Sequence, residues 1–70
     1  MALHAADERF WHGHESDTSA RFTTLLHQMA RERGFESEYG RLGDLTYTDV
    51  LCTDAEWSAL TTGVVLAAYS

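Results

Sequence analysis

Leu45-Thr46-Tyr47-Thr48-Asp49-Val50-Leu51-Cys52 can be read in two ways, and the fold class turns on which is taken. Alternation and β-branched residues favour a short strand. Thr48-Asp49-Val50-Leu51 can equally open a short helix. A lone strand in so short a chain has nothing to pair with, so a helical turn is the favoured reading. Downstream, Thr53-Asp54-Ala55-Glu56 is a capping box. The Thr53 hydroxyl accepts from the third helical amide, while the Glu56 carboxylate reaches back to the Thr53 amide. Trp57, Leu60, Val64 and Ala68 then recur at helical spacing. From Gly63 to Tyr69 the chain is apolar on every side, which suits a helix buried all round or one that meets a partner. The rival reading ends the helix near Thr62 and makes 64–69 a strand.

Upstream, residues 36–44 hold two glycines and no periodicity, and read as a loop. Before them lies the most legible segment. Ser16, Asp17 and Thr18 offer oxygens to first-turn amides. Phe22, Leu25, Leu26 and Met29 recur at i, i+3, i+4 and i+7 as one apolar stripe. Arg31 and Arg33 sit in the last turn, where positive charge suits the helix dipole. Gly34 is placed to stop the helix in a left-handed conformation, with Phe35 folding back onto the stripe. Residues 2–12 read as a short first helix with Leu3, Ala6, Phe10 and Trp11 at helical spacing, ended by Gly13. The expected fold is therefore mainly α: a single small domain over residues 1–70, a three- to four-helix bundle with a central helix near 18–33 and a C-terminal helix from about 54. The alternative is α+β, with short strands near 45–51 and 64–69.

Seventy residues form one domain at most. A chain near this size buries only about 60% of the surface it exposes unfolded, so the core is thin. Cys52 is the only cysteine, which excludes an internal disulfide. No basic start followed by an apolar run marks a signal peptide, and 63–69 is far below the roughly 20 residues of a membrane helix. The expected location is cytoplasmic. The formal charge is −6, from eleven acids and five arginines, with no lysine. Such a surface repels nucleic acid and anionic membrane and favours basic partners. The charge is uneven. Residues 1–33 carry five acids against four arginines, whereas 34–70 carry six acids against Arg41 alone. An asymmetry of this kind points to an interaction surface.

The chemical motifs are sparse. His12 and His14, with Glu15 and Asp17 nearby, are the densest set of possible metal ligands, but their spacing matches no zinc motif. A polar turn is the plainer reading, and no cofactor is expected. His27 borders the apolar stripe as a boundary histidine. Cys52 precedes a helix N-terminus, which lowers a thiol pKa. No nucleophile signature surrounds it, and a buried small hydrophobe fits better. No glycine loop for phosphate and no basic stripe is present.

What remains is the acidic half. Glu36, Glu38, Asp44, Asp49, Asp54 and Glu56, with Tyr39 and Tyr47 flanked by acids, form the expected partner-binding set. Capping accounts in part for Asp54 and Glu56, and a turn for Asp44, which leaves Glu36, Glu38 and Asp49 least explained. The general character resembles that of inhibitors encoded by phages and mobile elements, such as anti-CRISPR proteins and DNA mimics, and that of antitoxins. The expectation is a non-enzymatic binding module that inhibits or modulates a larger basic protein or nucleoprotein complex that handles nucleic acid, with no direct contact to nucleic acid or membrane. The alternatives are a structural subunit or homodimer assembling through 63–69, and a metal-binding protein using the His12/His14 region.

Overall fold

The computed structural model describes residues 1–11, 13 and 15–69, with only the backbone of Ser16. Strand β1 (Ala2–Asp7) is followed by helix α1 (Ser16–Glu32), strands β2 (Glu36–Leu42) and β3 (Leu45–Cys52), and helix α2 (Asp54–Ala68). The sheet order is β1-β3-β2, with both outer strands antiparallel to β3. Both helices pack on one face of the sheet and against each other. The other face is open.

This corrects the helical bundle to an α+β fold. The decisive stretch is the central strand. Thr46, Thr48, Val50 and Cys52 are buried against the helices, and the alternate residues are half-buried on the open side. The objection that a strand there lacks partners fails, because two further strands flank it. Residues 2–12 were expected as a helix, yet 2–7 pair with β3 at every position from Ala2↔Cys52 to Asp7↔Tyr47. Alanine favours helix by propensity, but six residues cannot hold a helix alone, and the ladder overrides the preference. Residues 36–44, expected as a loop, contain β2 and a two-residue hairpin. The Leu42↔Leu45 pair closes on Gly43-Asp44, with Gly43 at φ 64°. A glycine with positive φ at the first turn position, followed by an ordinary residue, is the II′ geometry that matches strand twist. Residues 64–68 continue α2, so no strand forms there.

The helix ends follow local chemistry. Phe35 N–H bonds Ala30 O and Gly34 N–H bonds Arg31 O, both at 3.0 Å, with Gly34 at φ 82°. That is a complete Schellman stop. Thr53 and Glu56 form the capping box at 3.1 and 2.8 Å. At the start of α1 the cap position is Glu15, without a side-chain cap bond. The core joins Phe22, Leu26 and Ala30 of α1 to Leu60 and Val64 of α2, Val50 and Cys52 of β3, Ala6 of β1, and Trp11. Among the described residues, no helix is long and apolar enough to cross a membrane.

Candidate partner-binding face

Because side chains alternate along a strand, the register settles which acids share a face. Glu36↔Leu51, Glu38↔Asp49 and Gly40↔Tyr47 point away from the helices on β2 and β3. On β1 the matching residues are Leu3, Ala5 and Asp7, opposite Leu51, Asp49 and Tyr47. The open face therefore carries Leu3-Leu51-Glu36 in one row, Ala5-Asp49-Glu38 in the next, and Asp7-Tyr47-Gly40 in the third. Leu3, Glu36, Glu38, Asp49 and Leu51 line a shallow depression of about 360 Å³.

The charge on this face is compensated at one acid and not at the other three. Asp7 is held by Arg9 at 2.7 Å, and this hydrogen-bonded pair pulls its carboxyl below the usual carboxylate range. Among the described residues, Glu36, Glu38 and Asp49 form no ion pair. Arg41, the only base in the acidic half, lies on the helix side of β2, opposite Thr46. Glu38 and Asp49 are direct cross-strand partners, and like charges so placed are destabilising. The Tyr47 hydroxyl reaches Glu38 Oε1 only at 3.5 Å. Its ring lies over Gly40, where a Cβ would come within 2.6 Å of the hydroxyl. Gly40 is thus the seat that lets Tyr47 lie flat on the sheet.

Of the expected set, the fold brings Glu36, Glu38, Tyr47 and Asp49 together and disperses the rest. Tyr39 sits on the helix side, stacked on His27 at 5.6 Å, with its hydroxyl 3.2 Å from Thr24 Oγ1. Asp44 is at the hairpin tip. Asp54 and Glu56 lie in the first turn of α2, where Asp54 Oδ1 is 3.2 Å from His4 Nε2 without hydrogen-bond alignment. The apolar members of the face, Leu3, Ala5 and Leu51, lie outside the expected set. Alternation in 2–7 and the Gly-Asp hairpin signal between two alternating runs are the patterns that place them.

The other candidates resolve simply. His27 Nδ1 lies 2.6 Å from Ser37 Oγ, which fastens α1 to β2. Cys52 is fully buried, and burial pushes its thiol pKa up, opposite to the direction a nucleophile needs. His12 and His14 lie outside the described residues. Among the described residues, no group of three His, Cys, Asp or Glu is placed to hold a metal ion. The chain matches no protein-family model, no curated protein and no solved structure.

Proposed function

We propose that this chain is a binding module that engages a basic protein through the open face of its sheet. The observation that supports this reading is the Glu38–Asp49 pair. Two carboxylates are set directly opposite each other without a cation, beside Glu36 and the exposed Leu3. Such an arrangement costs stability in the free protein. It becomes favourable when a partner supplies arginine or lysine between the carboxylates and an apolar contact on Leu3 and Leu51. A protein that handles nucleic acid presents such groups to phosphate, so the module competes for that surface as an inhibitor or modulator. Tyr47, flat on Gly40, is the rigid aromatic of the face.

The test starts with affinity capture from the native host, using wild type and Glu38→Lys side by side. A partner retained by wild type and lost with Glu38→Lys is the expected result. Its affinity should drop at least tenfold on charge reversal and weaken steadily with added salt. An affinity indifferent to salt and to Glu38→Lys overturns the reading.

A further inference from the structure

The two edges of the sheet differ in a way that the acidic face does not explain. Natural edge strands are blunted by lysine, proline, bulges or inward charge. β2 follows this rule, with Glu36, Glu38 and Arg41 along it. β1 does not. Ala2-Leu3-His4-Ala5-Ala6 holds no acid, arginine or proline, and its ladder to β3 runs through six successive pairs without a bulge. Among the described residues, no strand pairs with its outer side. Leu3 is 68% exposed there.

Consider a second copy laid antiparallel against each edge, about a two-fold axis normal to the sheet. Residues of one face must then meet residues of the same face. On β2 this sets the glutamates of one copy among those of the other. On β1, with His4 at the axis, it sets Leu3 against Ala5 and Ala5 against Leu3. The edge is complementary to itself. α2 lies over the same side of the molecule, with Trp57 stacked on His4 at 5.1 Å. Past the exposed Asp54 of its first turn, its exposed residues Ala55, Ser58, Ala59, Thr62, Leu66 and Ala67 are uncharged. Of the acids nearest the seam, Asp7 is paired with Arg9 at 2.7 Å, while Asp54 lies 3.2 Å from His4 without a hydrogen bond. In a chain of charge −6, two copies associate best where free acids are few, and the order β1-β3-β2 keeps Glu36 and Glu38 on the opposite edge from this seam.

We propose that two copies of this chain pair through their β1 edges into one six-stranded sheet, with the two α2 helices flanking the seam. Both open faces then point the same way, so the dimer presents two acidic sites to one partner surface. The pairing stands independently of what those sites bind. Sedimentation of the full chain across the micromolar range tests it, with Leu3→Lys, Ala5→Lys and Leu66→Lys as variants and Glu38→Lys as the control. The expected result is a dimer whose dissociation constant rises at least tenfold with Leu3→Lys and with Ala5→Lys, and is unmoved by Glu38→Lys. Leu3 and Ala5 are exposed, so both variants should keep a cooperative melt. A wild type that stays monomeric overturns the proposal, as does a dimer that only Leu66→Lys breaks. Loss of partner binding with Glu38→Lys while the dimer persists separates the two readings.

Discussion

At the scale of single residues, Thr23 is the polar node that joins the layers. Its Oγ1 accepts from Trp11 Nε1 at 3.0 Å and donates to Ser19 O at 2.9 Å, and its carbonyl accepts from Thr48 Oγ1 at 2.9 Å. Thr23→Val keeps the volume but leaves the buried indole N–H without an acceptor. The expected loss is about 1–3 kcal/mol in a denaturant melt. Nothing in the sequence marks Thr23, because its importance comes from a tryptophan twelve residues away and a strand twenty-five residues away. Cys52 gives a pH prediction. Its folded pKa is raised by burial, while the unfolded thiol titrates at about 8.5. The folded state therefore keeps a proton that the unfolded state loses. This contribution is fully present below about pH 8.5 and is lost as pH rises toward the folded value. Stability should fall above that pH in wild type and not in Cys52→Ala. Alkylation at neutral pH should be slow until the chain is unfolded.

At the scale of elements, the hairpin decides the architecture. Gly43 at φ 64° sets the two-residue turn that pairs β2 with β3. Gly43→Ala places a Cβ in a region L-residues avoid and should cost about 1–3 kcal/mol, read from the melting midpoint. Both helices could be read from residue types, because their signals are local: the apolar stripe with its Gly34 stop, and the Thr53/Glu56 box. The strands were harder. In 2–7 a run of alanines carries helix propensity, and only the ladder to β3 makes it a strand. In 36–42 the exposed Glu-Ser-Glu-Tyr-Gly-Arg-Leu of an edge strand shows no apolar alternation, since one face is acidic and the other only half-covered. The Gly43-Asp44 turn is the one local clue to a hairpin in this stretch.

At the scale of the whole molecule, the fold is a two-layer sandwich with one sheet face uncovered, 18 Å across its thinnest axis. That openness gives the acids their meaning. If Glu38 and Asp49 are retained for a partner rather than for folding, Glu38→Gln should stabilise the free protein by roughly 0.2–1 kcal/mol at low salt, and the gain should shrink as salt is added. A loss of stability in the same melt would show that Glu38 serves the fold. The sequence by itself determined the acidity of residues 34–70, the lack of an internal disulfide, and the two helices, because charge and cysteine counts need no fold and helix periodicity and caps involve residues near one another in the chain. Only the tertiary structure decided which of the eight expected site residues stand together. Pairing of β3 with the N-terminal strand β1 and with its hairpin neighbour β2 sets a register of period two, and that register sends Glu36, Glu38, Tyr47 and Asp49 to one face while turning Tyr39 to the other.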